Sequence, residues 1–272
     1  MTDAAQKPAF SVLSLNTFGI PFYLSTWRIR PLTAILRNLA PTVICLQEVQ
    51  QNAYVPALQR GLKGYSDFAF FHKPFAPRGG LFTAAASGCK VRESKFYPFP
   101  NQGKPLSIGF SDWWLNKGVL LVNLEVAGTH LVAMNTHLQA NYMGDWQPSN
   151  AQTQIQLDQV SYLVELIQAQ SQDAWVTVCG DFNFPREAPA YERMANGSGM
   201  TDPLLRDPRS TYQPFPLVPP KWKMTLDYFF YRPPRGERAD VTADIVPIVN
   251  PAGRYSVQRF LTDHQALLLN IG

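Results

Sequence analysis

Four short apolar runs in this chain stop on an amide, a carboxylate or a histidine: FSVLSLN at Asn16, TVICLQE at Glu48, HLVAMNTH at His137 and WVTVCGD at Asp181. Leu226–Tyr231 carries Asp227 near its start, and the last run, Ala266–Ile271, follows shortly after Asp263 and His264. Runs of this length and composition read as strands, several of them fully buried. A core built only for stability has no need of such residues at so many strand ends. The pattern selects a sheet architecture whose rim gathers side chains from distant parts of the chain.

Helical spacing interrupts the strands twice. Trp27, Ile29, Leu32, Ile35, Leu36 and Leu39 form a stripe closed by Pro41, which makes the first unit strand–helix–strand. Ile155, Val160, Leu163, Val164 and Ile167 form a second stripe on a Gln-rich segment, followed by the strand Trp175–Cys179. Between the helices, Tyr65–Phe71, Gly80–Ala86, Val91–Phe96, Gly118–Val126 and His130–His137 have strand composition, and Gly128-Thr129 marks a tight hairpin. Val241–Val249 is a further strand. With no internal repeat, low-complexity tract or long linker, residues 1–272 are expected to form a single domain of the α/β class.

Apolar residues make up 46% of the chain and charged residues 16%, which excludes disorder. The net charge of +4 is spread over scattered Lys and Arg, with no dense basic run to track a nucleic-acid backbone. Three cysteines with no CxxC pair exclude a disulfide framework, and Cys45 and Cys179 read as inert buried thiols. The sequence opens without a basic-then-apolar leader, and nowhere are there 18 consecutive apolar residues. A soluble, cytoplasmic monomer is expected.

Each polar strand end has an ordinary explanation when taken singly. Glu48 suits a helix N-terminus, His137 a core histidine bonded to a carbonyl, Asp181 and Asn183 a turn, and Asp263-His264 a strand cap. Together they supply a chemistry. Glu48, Asn16 and Asp263 offer hard oxygen ligands suited to Mg²⁺. His137, His264 and Asn183 are candidates for phosphate recognition and proton transfer. No Cys/His cluster has zinc spacing and no nucleotide-binding glycine loop is present. A carboxylate-bound metal with two histidines points to metal-assisted phosphoester hydrolysis.

SLNTFG, LQEV, NTHLQA, CGDFNF, TLDYFF and LTDHQA, taken in that order between Phe10 and Ile271, resemble the motifs of the endonuclease/exonuclease/phosphatase superfamily, which includes DNase I and the AP endonucleases. Within it, LNTFGIP, Gly80-Leu81, SDWWLNKGVLLVNLEVAG and NTHLQANY are most similar to neutral sphingomyelinases. The resemblance implies a four-layer α-β-β-α sandwich. It also implies Mg²⁺-dependent hydrolysis, with Mn²⁺ or Co²⁺ able to substitute, of sphingomyelin to ceramide and phosphocholine or of a related phospholipid. Glu48 corresponds to the principal metal ligand, with Asn16 beside it and Asp263 near the metal. Asp181 and Asn183 match the motif that holds the attacking water and the scissile phosphate. His264 matches the C-terminal catalytic histidine, taken as the base, and Asp227 the carboxylate that orients it. His137 matches the histidine of the sphingomyelinase-type THLQ motif, and Asn141 closes the same stretch near the substrate. Asp112 and Lys117 resemble an aspartate–lysine pair of neutral sphingomyelinases. The arginine that often precedes the fifth-motif aspartate is replaced in Thr225-Leu226-Asp227.

Two aromatic, Pro-broken segments remain, Phe96–Trp114 and Tyr212–Met224. Either is explained by ordinary packing between strands. Alternatively, Trp113 and Trp114 face a lipid surface or contact a choline group, since indoles favour membrane interfaces and aromatic faces attract quaternary ammonium. The rivals to a lipid phosphodiesterase are a nuclease of the DNase or AP-endonuclease type and an inactive lipid- or protein-binding module.

Overall fold

The computed structural model describes residues 10–19, 25–102, 115–213, 223–238, 240–254 and 259–272. Two mixed sheets pack face to face, with helices on both outer faces. The first sheet contains β1 (Phe10–Asn16), β2 (Val43–Gln47), β3 (Tyr65–Ala69), β4 (Phe82–Ala86), β10 (Val241–Val246) and β11 (Ala266–Ile271), in the order β10-β11-β1-β2-β4-β3. The second runs β5 (Lys90–Pro98), β6 (Gly118–Val126), β7 (Thr129–His137), β8 (Trp175–Asp181) and β9 (Asp227–Arg232), in sequence order. Helices α1 (Ser25–Leu39) and α2 (Tyr54–Gly61) cover the first sheet; α3 (Ala151–Gln168) and α4 (Pro189–Ser198) cover the second. This is the expected α-β-β-α sandwich.

The layers follow from the two-residue period of the strands. In β1, Val12 faces the other sheet beside Val43 and Cys45, while Leu13 faces Ile29, Leu32 and Leu36 of α1. In the second sheet, Val122, Ala133 and Cys179 look inward, and Leu121, Met134 and Val178 pack on Leu157, Val160 and Leu163 of α3. Each sheet contains one parallel pair, β1–β2 and β7–β8, joined by a helical crossover through α1 or α3. Both pairs point their C-terminal ends at the same rim. A polar seam crosses the otherwise apolar space between the sheets there. The Gln47 amide donates to Asn135 Oδ1 at 2.7 Å and to Ser14 Oγ at 3.2 Å. Asn135 in turn donates to the Leu46 and Phe82 carbonyls at 3.0 and 3.2 Å.

Several local expectations change. Trp27 is 79% exposed and does not belong to the apolar stripe. It lies well over a third of a turn away from Leu32 round a helix of about 3.6 residues per turn, whereas Ile29, Leu32 and Leu36 share the buried face. The hairpin turns on Ala127-Gly128, both at positive φ (49° and 83°), so Thr129 already pairs with Val126. Helices α2 and α4 have no counterpart in the apolar spacing. The first is short and carries Pro56 in its first turn; the second starts at Pro189 and ends on Gly199 in the left-handed conformation. Among the described residues, no helix is long and apolar enough to cross a membrane.

The closest backbone approach at the rim is at Gly180, where β8 lies against β7. At its φ of +151°, a Cβ would sit 1.8 Å from the Thr136 carbonyl oxygen. Gly180→Ala is therefore expected to cost more than about 3 kcal/mol, read from urea denaturation. An unchanged midpoint would mean that the β7–β8 pair opens freely at this end.

Candidate active site

The side chain at the C-terminal end of β1 links the two sheets. Asn16 is fully buried, and its amide donates to Glu48 Oε1 at 3.1 Å and to Asp181 Oδ2 at 2.9 Å. Its own carbonyl oxygen accepts from the Phe18 N–H at 2.9 Å, which fixes which end of the amide faces the acids. Glu48 follows β2 rather than ending it, because its backbone turns left-handed at φ 54°. Gly19 and Gly80 both lie against that turn, and a Cβ on Gly19 would come within 2.0 Å of the Glu48 carbonyl oxygen. A Cβ on Gly80 would lie 3.4 Å from the Glu48 Cα, and the Gly80 carbonyl accepts from the Val49 N–H at 2.8 Å. Burial raises the Glu48 carboxyl above its usual range, and the Asn16 hydrogen bond only partly offsets this.

Asp181 Oδ2 is the crossing point of the cluster. Besides Asn16, it faces His137 Nε2 at 3.5 Å and His264 Nε2 at 3.8 Å, while Oδ1 accepts from the Asn183 N–H at 2.9 Å. Burial pushes this carboxyl up to about 6, against the pull of His264. Asn183 sits at φ 56°, and its amide donates to the Leu138 carbonyl at 3.1 Å. Lys117 is only 1% exposed. Its Nζ meets His137 Nε2 at 2.9 Å and donates to the Leu138 carbonyl at 2.6 Å. With an ammonium donating to Nε2, the imidazole proton of His137 resides on Nδ1. Burial, then the charge of Lys117, holds His137 well below its usual pKa, so it is neutral.

His264 has the opposite surroundings. Its Nδ1 is 2.8 Å from Asp227 Oδ2, and Nε2 faces Asp181 Oδ2 and Asp263 Oδ1, each at 3.8 Å. Burial disfavours its charge, but Asp227, Asp181 and Asp263 together raise its pKa well above the usual value. Asp263 itself is pushed up to about 6, by burial first and then by Glu48, with His264 opposing. Sequence reasoning did not single out the groups that brace this pair. The Thr262 hydroxyl donates to the Asn16 carbonyl at 2.7 Å and accepts from the His264 N–H at 3.2 Å. Arg28, in the first turns of α1, donates to the carbonyls of Leu261 and Phe18 and lies over the Phe18 and Phe260 rings. The Tyr212 ring centroid is 5.2 Å from that of His264, and burial, then the nearby carboxylates, pushes the phenol up to about 12. No local sequence signal marks Thr262 or Arg28, and the aromatic character of Tyr212–Met224 does not indicate that its first ring stands against His264, because the decisive partners lie far away in the chain.

Asn16, Glu48, Lys117, His137, Asp181, Asn183, Asp227, Asp263 and His264 are thus gathered at one rim. Asn141 is not in this contact network: its amide donates to the Asp145 carbonyl at 2.7 Å, near the start of α3. Asp112, Trp113 and Trp114 lie outside the described residues, as does most of the segment that follows Tyr212.

The cluster fits a hard divalent cation. Glu48 Oε2, Asp227 Oδ1 and Asp263 Oδ1 are buried carboxylate oxygens without a hydrogen-bond partner among the described residues. Ligand atoms of Glu48, His137 and Asp181, and separately of Asp181, Asp227 and His264, lie within 4.8 Å of one another. Oxygen-rich donors crowded under desolvation favour such an ion.

The profile of the Endonuclease/Exonuclease/phosphatase family matches residues 13–264. The chain belongs to this family. Among curated relatives, the inositol phosphosphingolipids phospholipase C of Schizosaccharomyces pombe is 28% identical over 207 residues, 74% of this chain and 47% of that protein. The putative neutral sphingomyelinase of Drosophila melanogaster is 27% identical over 196 residues, 71% of this chain and 43% of the other. The chain thus spans about half the length of the curated relatives it matches. Two solved structures share the fold. Sphingomyelinase C from Streptomyces griseocarneus superposes with a TM-score of 0.75 at 19% identity, covering 97% of this chain and 99% of that one. D. rerio TDP2 complexed with a single-strand DNA product gives 0.74 at 20% identity, covering 97% and 98%. Family membership and fold accord with the motifs.

The neutral state of His137 has a consequence for stability. Below about pH 6.5 the unfolded chain takes up a proton at this histidine while the folded chain does not, so stability falls as the pH drops. In urea denaturation at pH 7.5 and 5.5, wild type is expected to lose more stability on acidification than His137→Gln. Equal losses would show that folding leaves proton uptake at His137 unchanged, and a smaller loss in wild type would show that the histidine is charged in the folded protein.

Proposed function

We propose that the chain is a divalent-metal-dependent phosphodiesterase acting on a phosphosphingolipid: sphingomyelin, giving ceramide and phosphocholine, or a relative with another head group. The observation that carries this reading is the buried cluster around Asn16, where carboxylates with unpartnered oxygens adjoin the Asp227-backed His264. The names of the two curated relatives support the lipid class.

Glu48 and Asp263 would hold the metal, most simply Mg²⁺; Asn16, expected as a ligand, instead presents its N–H groups to the acids and its oxygen to the Phe18 N–H, so it braces the Glu48 carboxylate. When bound, the ion supplies Lewis-acid polarisation of a phosphoryl oxygen and charge stabilisation for the leaving alkoxide. His264 Nε2 takes the proton of the attacking water, while Asp227 holds the opposite ring nitrogen and stabilises the imidazolium that forms. Asp181 flanks Nε2 and orients the water. Lys117 and the Asn183 amide bring donors to the phosphoryl oxygens as negative charge shifts onto them. Because His137 Nε2 accepts from Lys117, His137 anchors that lysine, and any hydrogen bond it gives to phosphate comes from Nδ1.

Glu48→Gln preserves shape but removes charge. Turnover in Mg²⁺ should fall at least about a hundredfold, and Mn²⁺ binding followed by paramagnetic relaxation should weaken in parallel. Full turnover in excess chelator would overturn the metal role. A panel of sphingomyelin, inositol phosphosphingolipid, single-stranded DNA and plasmid DNA tests the substrate class. Cleavage of a phosphosphingolipid is expected to exceed that of either DNA by at least about tenfold, a gap of about 1.4 kcal/mol in barrier. The reverse ranking would make the chain a nuclease.

A further inference from the structure

The hydrogen bond between Asp227 and His264 spans two sheets. Asp227 opens β9 in the five-stranded sheet, and His264 lies just before β11 in the six-stranded one. Neither sheet's own ladder sets the distance between them. The residues from Thr211 to Gln213 lie across that gap and bond to both sides. On the Asp227 side, Thr211 Oγ1 accepts from the N–H groups of Leu226 and Asp227, each at 3.0 Å, and the Tyr212 N–H donates to the Met224 carbonyl at 2.9 Å. On the His264 side, the Thr211 carbonyl accepts from the Gln265 N–H at 2.7 Å, and the Gln213 N–H donates to the Asp263 carbonyl at 2.6 Å. Three consecutive residues thus form a strap between the two halves of the pair.

A hydrogen bond at Nδ1 fixes one point of an imidazole but leaves the ring free to tilt about that point. Tilt moves Nε2, the atom that faces Asp181 and Asp263. The Tyr212 ring supplies the missing restraint, lying 5.2 Å from the imidazole centroid at 58° to its plane. Its backbone is held by the strap, which fixes the ring's point of attachment.

We propose that Tyr212, carried by the Thr211–Gln213 strap between β9 and β11, is a positioning residue that sets the ring plane of His264 against Asp227. This deepens the reading of His264 as proton acceptor and rests on it. The restraint comes from the ring face, so phenylalanine should serve in its place and a residue without a ring should not.

The test uses Tyr212→Phe, Tyr212→Leu and Thr211→Val in the full chain, with two readouts. The first is kcat and KM on a phosphosphingolipid in mixed micelles. The second is the spectrum of ¹⁵N-labelled imidazoles, which is tractable with four histidines in the chain; a His264→Ala spectrum assigns the signal. Tyr212→Phe should stay within about twofold of wild type in both readouts, because reacting-group geometry is kept. Tyr212→Leu should lower kcat by about ten- to a hundredfold with KM little changed, and should move the His264 signals while leaving those of His72 and His130 in place. Thr211→Val removes the hydroxyl that holds the Asp227 side and should shift kcat and the His264 signals in the same direction, which keeps the test open if Tyr212→Leu does not fold. Unmoved His264 signals and kcat in the folded variants would overturn the proposal, as would a Phe variant as impaired as the Leu variant. If wild type cleaves no phosphosphingolipid, the functional reading fails, and the His264 spectra still decide the positioning role.

Discussion

The two hydrogen bonds donated by the Asn16 amide, to Glu48 at 3.1 Å and Asp181 at 2.9 Å, join acids that belong to opposite sheets. Two buried carboxylates so close repel one another, and each carries a desolvation penalty that rises with burial. A neutral amide with two N–H groups is the smallest group that can serve both at once without adding charge. Its position is set in turn by β1, flanked by β11 and β2 at the centre of the six-stranded sheet. The rest of the rim is arranged around this link. The Thr262 hydroxyl ties the His264 segment to the Asn16 carbonyl, and the Gln47–Asn135 contact holds the strands of Glu48 and His137 in mutual register just beneath.

The two histidines of the cluster show how far neighbours decide the chemistry of one residue type. Both are buried. Burial, reinforced by Lys117 against Nε2, keeps His137 neutral, whereas three carboxylates outweigh burial at His264 and favour its charged form. A cation among those carboxylates would draw the His264 pKa back down, towards the range a base needs. The same fold carries a sphingomyelinase C and a protein solved with a single-strand DNA product at similar TM-scores, so the sandwich alone does not choose between substrates.

Much of this was readable from residue order. The strands carrying Asn16, His137 and Asp181 have short apolar runs ending on the side chain that joins the rim cluster, so strand and candidate site were legible together. Helices α2 and α4 lacked the apolar spacing and were marked only by their prolines and a terminal glycine. Trp27 misled because an indole near a helical stripe counts as apolar wherever it points; its angle round the helix, not its hydropathy, left it in water. Thr211, Thr262 and Arg28 were hidden for another reason, and so was the part Tyr212 plays, since only the aromatic character of its segment was legible. Each acts through a carbonyl, an N–H or a ring face supplied by residues distant in sequence or on another element, and such pairings are properties of the fold rather than of any local pattern.

The pairing of β1 with β11 joins residues 10–16 to residues 266–271 and puts the first strand at the centre of a sheet completed only by the last. During synthesis the chain emerges from its N-terminus, so β1 and β2 wait with an unpaired edge while the five-stranded sheet is made in sequence order beside them. Contacts of such long sequence separation form late and slowly, because loop closure must be paid before they reward it. His264 arrives with the same final segment as β11. The order of assembly therefore brings His264 beside Asn16, Glu48 and Asp181 only once the six-stranded sheet has closed, and until then the chain carries an open strand edge in place of the assembled rim.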